Sequence, residues 1–160
     1  MQDCSMVMAI PANMEMVGPL AGEMRRRHKP EERLFSQRKL VGRVVILDPS
    51  VTGIRDKYML FMLTKTRGSD RTKTIDLARC ILDLRRVVRS LKIERVAIPS
   101  IDYGLDGIPF NNIKALYEAV FRPTNVQLIV CTHYYTNLLR SLQETTNEEC
   151  QPGSSGNAAS

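Results

Sequence analysis

The sequence of 160 residues contains 23 Lys and Arg against 17 Asp and Glu, which gives a net charge of +6 at neutral pH. A chain of this length forms one domain that buries roughly 70% of its unfolded surface, so it needs no disulfide or metal to fold. It lacks an apolar run of the roughly 18 residues that cross a bilayer, and no basic segment precedes its apolar start. The composition argues against membrane and secreted proteins and predicts an intracellular protein, nuclear, cytoplasmic or both.

The four cysteines are widely separated in the sequence, and none belongs to a Cys-x-x-Cys pair. This usage is typical of reduced thiols rather than of a zinc knuckle or a disulfide framework. We therefore expect no metal site and no cofactor.

The net positive charge predicts an anionic partner and is concentrated in two clusters. One runs from Lys65 to Lys73, and the other contains Arg25, Arg26, Arg27, His28 and Lys29. The arginine-rich cluster has two interpretations. It could contact nucleic acid, or it could be the basic end of a helix, where cations interact favourably with the helix dipole.

The apolar pattern predicts alternating strands and helices. Strands are expected where short apolar runs end in polar or proline-containing loops, and helices where apolar residues recur at three- and four-residue spacing. The predicted strands are 6–10, 43–47, 58–63, 95–98 and 126–131, and the predicted helices are 20–28, a short one opening at Pro30, 77–91 and 111–121.

The helix over 77–91 has the clearest pattern. Thr72 or Thr74 could cap its start. Its apolar stripe is predicted to pack in the core, and consists of Leu77, Ile81, Leu84, Val88 and Leu91. The remaining face is predicted to be polar and solvated, with Asp76, Arg79, Asp83, Arg86 and Arg89.

Strands that alternate with helices predict the α/β class, in which ligands bind at the carboxyl ends of the strands. Three glycine-containing loops, 11–22, 64–70 and 100–108, follow predicted strands. Glycine-rich loops can offer backbone N–H groups to a phosphate, although Gly18, Gly68 and Gly104 also suit simple turns.

Two blocks carry a more specific pattern. Residues 97–121 read A-I-P-S-I-D-Y-G-L-D-G-I-P-F-N-N-I-K-A-L-Y-E-A-V-F, and residues 58–69 read Y-M-L-F-M-L-T-K-T-R-G-S. They resemble the ligand loop with its following helix, and the strand ending in T-K-x-R-x-S, of macro domains in the terminal ADP-ribose protein glycohydrolase group. Upstream, I-P-A-N-M-E-M-V-G-P-L-A resembles the loop around the distal ribose in that group.

The resemblance implies a three-layer α/β/α fold, a mixed sheet flanked by helices, over residues 1–136. We expect no counterpart of the family's first strand in this domain. Residues 137–160 are expected to form a polar, flexible tail. The implied partner is ADP-ribose or an ADP-ribosylated protein. The implied activity is hydrolysis of ADP-ribosyl esters, either ADP-ribosyl-glutamate and ADP-ribosyl-aspartate or O-acyl-ADP-ribose.

By matched position, the resemblance implies Lys65 as the nucleophile that attacks the anomeric carbon of the distal ribose. It implies Asp106 as the group that assists the attack and releases the covalent intermediate. An amine must lose its proton before it attacks, and a nearby carboxylate can carry that proton. From the residues alone, Lys65 could be a solvated lysine at a strand end and Asp106 a turn residue.

The resemblance also implies a set of ligand contacts, in which Asp102 and Pro19 depart from the family. Asp102 places a carboxylate where the pyrophosphate would pass, and Pro19 removes a backbone donor. A catalytically degenerate module that binds ADP-ribose, another nucleotide or nucleic acid is therefore the alternative. The implied contacts are Asn13, Val17, Gly18, Leu20, Thr64, Arg67, Ser100, Ile101, Asp102, Tyr103, Gly104 and Leu105.

Overall fold

The structure is a computed structural model. It describes residues 4–15, 22, 25–26, 37, 40–49, 57–99 and 107–131. Within these ranges the strands and helices are β1 (Ser5–Pro11), β2 (Val44–Leu47), β3 (Met59–Lys65), α1 (Thr74–Ser90), β4 (Arg95–Pro99), α2 (Phe110–Phe121) and β5 (Gln127–Cys131).

These elements confirm the predicted strands and the two predicted amphipathic helices, with shifts of one or two residues at most ends and of three at the start of the long helix. Of the predicted helix over 20–28, the described residues Gly22, Arg25 and Arg26 are helical. The short helix predicted to open at Pro30 and the predicted tail lie outside the described residues. No helix in the described ranges combines the length and apolarity needed to cross a membrane.

The five strands form one mixed sheet in the order β2-β3-β1-β4-β5. β2 pairs with β3 in the antiparallel sense, whereas β3, β1, β4 and β5 are parallel. The two parallel crossovers that follow β3 and β4 contain α1 and α2. This arrangement confirms the expected α/β class with a mixed sheet.

The interior strand β3 is buried on both faces. Phe61 and Leu63 point to one face and Leu60 and Met62 to the other, and all four are fully buried. The face of Leu60 and Met62 packs against α1 and α2, so the prediction that the apolar stripe of the long helix lies in the core is confirmed. The helix residues in this cluster include Leu77, Ile81, Leu84, Val88, Ile113 and Tyr117.

The opposite face of the sheet forms a second core cluster around Phe61 and Leu63, with Met8, Ile10 and Val45. Burial on both faces is what a three-layer arrangement requires, because an apolar sheet face left in water would cost free energy in proportion to its area.

Two details of α1 differ from the prediction. The N-cap residue is Lys73, and it makes no side-chain capping hydrogen bond, so the predicted cap by Thr72 or Thr74 is wrong. Asp83 was predicted on the solvated face and is buried. Its carboxylate accepts a hydrogen bond from the backbone N–H of Val44 at 2.8 Å. β2 is an edge strand of the described sheet, and among the described strands none lies on its outer side to supply an acceptor.

The same edge is closed further along by Gln37. Its side-chain amide donates to the carbonyl of Ile46 at 2.6 Å and accepts from the Ile46 N–H at 2.9 Å. Unpaired edge groups invite another strand, so these side chains protect β2 from strand addition.

Candidate active site

Four parallel strands end at one edge of the sheet. β1 ends at Pro11, β3 at Lys65, β4 at Pro99 and β5 at Cys131. β1 lies between β3 and β4, and the chain passes from β1 to β3 on one side and then to β4 on the other. Ligands of open α/β sheets bind outside the carboxyl ends of the strands at such a reversal of strand order. The edge around the end of β1 is therefore the candidate site.

Lys65 is held at this edge by the turn that follows β1. The pairing of β1 and β3 is regular up to Ile10 and Leu63, then shifts so that Pro11 faces Lys65. Beyond this shift, the N–H of Ala12 bonds the Lys65 carbonyl at 2.7 Å. Lys65 is half-buried, and the alternation of strand side chains places it on the face of Leu63.

Thr64, implied as a ligand contact, points to the other face of the sheet, which α1 and α2 cover. Its side chain is buried, and its hydroxyl has no hydrogen-bond partner among the described atoms. A ligand at the strand end would therefore contact the backbone of Thr64 and not its side chain.

The described part of β4 ends before the level at which β1 ends. Met6 pairs with Ala97, so in this register Pro99 is level with Met8, and β1 continues three residues further to Pro11. Only β1 separates β3 from β4, and with neighbouring strands about 4.8 Å apart the two flanking strands are roughly 10 Å apart. The implied site residues from Ser100 to Asp106, namely Ser100, Ile101, Asp102, Tyr103, Gly104, Leu105 and Asp106, lie outside the described residues.

The structure resumes at Gly107, directly after Asp106, with φ of +82°. Side chains rarely adopt this left-handed conformation, whereas glycine does so readily. A Cβ added here would meet no atom within 4 Å, so the constraint on this position is backbone conformation rather than space.

We expect Gly107→Ala to lower the free energy of unfolding by about 1 kcal/mol through backbone strain. Urea denaturation measures this loss. Gly22→Ala is the matched control, because Gly22 is helical and a Cβ there also meets no atom within 4 Å. An equal loss in both variants would contradict the explanation by φ.

The turn after β1 contains a second unusual backbone position. Met14 has φ of +63° and is buried, and its N–H bonds the Pro11 carbonyl at 3.0 Å. Residues held in such conformations occur often at functional sites. Asn13, an implied ribose contact, is exposed on this turn, and its side-chain oxygen accepts from the Glu15 N–H at 3.3 Å. The implied contacts Val17, Gly18 and Leu20 lie outside the described residues.

The loop after β3 contains Gly68, for which the sequence left two interpretations open: an N–H donor to a phosphate, or a simple turn residue. In this structure that N–H donates to the carboxylate of Glu15 at 3.1 Å, and a Cβ on Gly68 would lie 2.5 Å from the same oxygen. Glu15 was not singled out from the sequence. The nearby implied contact Arg67 is exposed, and its N–H donates to Asp70 at 2.9 Å.

The arginine-rich cluster is described only at Arg25 and Arg26, which are exposed and helical. Arg27, His28 and Lys29 lie outside the described residues. Among the residues that the structure describes, no group of three His, Cys, Asp or Glu side chains is placed to hold a metal ion.

Comparison with known proteins agrees with this geometry. No family model matches the sequence. ADP-ribose glycohydrolase OARD1 of Bos taurus is 25% identical over 132 residues, which cover 82% of this chain and 83% of that protein.

Among solved structures, the macrodomain of Mycobacterium tuberculosis DarG aligns with a TM-score of 0.69 at 21% identity, covering 81% of this chain and 89% of that one. DarTG of Thermosipho africanus, solved in complex with ADP-ribose, aligns with a TM-score of 0.68 at 11% identity, covering 81% of this chain and 38% of that one.

The mixed five-stranded sheet and these neighbours show that the chain has the fold of macro domains. Its similarities are to OARD1 in sequence and to the DarG macrodomain in structure. The predicted fold class is confirmed.

Proposed function

We propose that this macro domain binds ADP-ribose and hydrolyses the ester bond between ADP-ribose and an acidic side chain. The observation that carries the proposal is the position of Lys65. It ends a buried strand at the carboxyl edge of the sheet, beside the turn where the strand order reverses. The similarity to an ADP-ribose glycohydrolase and the fold shared with a protein solved with ADP-ribose support the choice of ligand.

In the proposed reaction, the neutral amine of Lys65 attacks the anomeric carbon of the distal ribose. A carbon–nitrogen bond forms, and the bond from that carbon to the oxygen of the substrate carboxyl group breaks. The leaving group is a carboxylate, which is stable at neutral pH without a proton. The nitrogen loses its proton to Asp106 as the bond forms.

Water then adds to the same carbon and releases one proton to the solvent, and the carbon–nitrogen bond breaks. Asp106 returns its proton to the departing amine, so ADP-ribose is released and both side chains recover their starting states. The strand order is compatible with Lys65 as nucleophile and Asp106 as the group that transfers the proton. Lys65 ends β3, and Asp106 follows β4 in the sequence; these two strands lie on opposite sides of β1, roughly two strand spacings apart.

The experiment is to give the purified protein a substrate protein ADP-ribosylated on glutamate and to measure released ADP-ribose by chromatography. We expect release with wild-type protein, and saturable binding of free ADP-ribose by calorimetry. Binding without release would support the alternative, a module that reads ADP-ribose without turnover. Absence of both would overturn the proposal.

A further inference from the structure

A groove of about 390 Å³ lies between α1 and the turn that precedes β2. Arg43 lines it from the turn, and Arg79, Leu82 and Arg86 line it from the helix. The two walls are in contact, because a Cβ placed on Gly42 would lie 3.1 Å from the Cβ of Arg79. We call this surface the arginine groove.

The solvent-facing surface of the arginine groove is positively charged. Arg43 and Arg86 donate to Asp83 at 3.4 and 2.8 Å, but the Asp83 side chain is only 5% exposed, whereas the two arginine side chains are 58% and 64% exposed. Each guanidinium has five N–H donors, so most remain available to a partner. Arg79 makes one surface ion pair with Asp76 at 3.4 Å, and such pairs are weak.

Apolar side chains are interleaved with these arginines. Ile75 and Leu82 are 57% and 47% exposed, and they alternate with Arg79 and Arg86 along one stripe of α1. Leu40 is exposed on the adjoining turn. The phosphates of a nucleic acid could pair with the arginines, but they would make few contacts with the exposed isoleucine and leucines. An acidic peptide with apolar side chains would use both, so the combination favours a peptide.

The arginine groove begins beside the candidate active site. Gly42 and Arg43 lie next to β3, since the Gly42 N–H donates to the Leu63 carbonyl at 2.8 Å and the Leu63 N–H to the Arg43 carbonyl at 2.9 Å. β2 is antiparallel to β3, so this turn lies at the same edge of the sheet as Lys65. An extended peptide rises about 3.3 Å per residue, so a segment in the groove can belong to the substrate chain that carries the modified side chain.

We propose that the arginine groove binds an acidic, leucine-containing segment of the ADP-ribosylated protein, next to the modified glutamate or aspartate. This inference rests on the proposed function, and it narrows the substrate class to modification sites within acidic sequence. The groove is then a specificity surface, distinct from the residues that bind ADP-ribose.

The first test measures binding of an unmodified, fluorescein-labelled peptide of alternating Glu and Leu residues by fluorescence anisotropy. We expect Arg79→Glu combined with Leu82→Ser to raise Kd about tenfold or more, since it reverses one charge and removes one apolar contact. Both side chains are exposed, so the variant should fold, and its thermal melt checks this. Arg122→Glu, at the C-cap of α2, is the control with the same change in net charge, and it should change Kd less than about twofold.

The second test measures turnover of ADP-ribosylated peptides that differ only in having Glu or Gln around the modified residue. For wild-type protein we expect a lower KM with Glu and a similar kcat, and we expect the Arg79→Glu, Leu82→Ser variant to lose the difference in KM. Its kcat on a short substrate without flanks should stay unchanged.

Three results would overturn the assignment of the groove: equal weakening by Arg122→Glu, tighter binding of single-stranded RNA than of the acidic peptide, or no preference in KM for Glu flanks. Specific peptide binding without any release of ADP-ribose would instead overturn the proposed function and leave the acidic occupant of the groove supported.

Discussion

Replacement of Lys65 by alanine is expected to lower release of ADP-ribose by roughly a thousandfold or more, because removal of a nucleophile eliminates the covalent route. Binding of free ADP-ribose should persist, since the fold does not depend on this half-buried strand-end side chain. Single-turnover assays and calorimetry on the same preparation separate these two effects.

Lys73→Ala is the matched control for this experiment, because Lys73 is an exposed lysine at the end of the loop that Lys65 begins. It should retain turnover within about twofold, as expected for a surface substitution. Lys65→Arg keeps the positive charge but supplies no neutral amine, so it should be as inactive as alanine. Substantial turnover by Lys65→Ala or Lys65→Arg would show that the reaction needs another nucleophile.

The largest expected effect on stability is at Asp83. Its carboxylate accepts hydrogen bonds from the Val44 N–H, from Arg86 and from Arg43. Asp83→Ala leaves the Val44 N–H without this acceptor, while the exposed guanidinium groups regain water. We expect the free energy of unfolding to fall by about 2–3 kcal/mol, measured by urea denaturation.

Two further substitutions sharpen this measurement. Asp83→Asn keeps an oxygen that can accept from Val44, so its loss should be smaller than that of alanine. Asp76→Ala removes a carboxylate that pairs with the exposed Arg79, and its effect should stay within about 0.5 kcal/mol. Equal losses at Asp76 and Asp83 would contradict a special role for the bond to β2.

The environment of Asp83 also predicts that the free energy of unfolding depends on pH. Burial by itself raises the pKa of this carboxyl, but hydrogen bonds from Arg86 and Val44 and the charges of Arg86 and Arg43 outweigh it and hold the pKa below its usual value. A group with a lowered folded pKa stabilises the fold above its unfolded pKa, about 3.9, and loses that contribution as pH falls through the folded value. Wild-type protein should therefore lose stability more steeply below about pH 4 than Asp83→Asn, in urea titrations at several pH values.

Asp83 illustrates what the sequence does not reveal. Periodicity placed the apolar stripe of α1 correctly, because burial of that stripe depends on spacing within one helix. The buried Asp83 carboxylate accepts the N–H of Val44, in a strand 39 residues earlier, and no local pattern reports this bond. The same limit explains Glu15, whose bond to Gly68 spans 53 residues.

The site was predictable to different degrees. The strand ends were found from apolar runs, and the position of Lys65 at the carboxyl edge follows from them. Its proposed role came from the resemblance of two sequence blocks, since a lysine at a strand end is in itself a common surface feature. The predicted threonine cap was wrong because a suitable residue type near a helix start does not require a capping bond.

The pairing at Pro11 gives the site a dependence that the proposed reacting groups alone would not reveal. Between Ile10 and Pro11 the register of β1 against β3 shifts, so the Ala12 N–H bonds the Lys65 carbonyl and anchors the backbone of the proposed nucleophile. An insertion or deletion in this turn would change the phase between the two strands and displace Lys65. A turn that holds no reacting group thus sets where the proposed nucleophile lies, and we expect such a change to lower turnover as a change at the amine itself would.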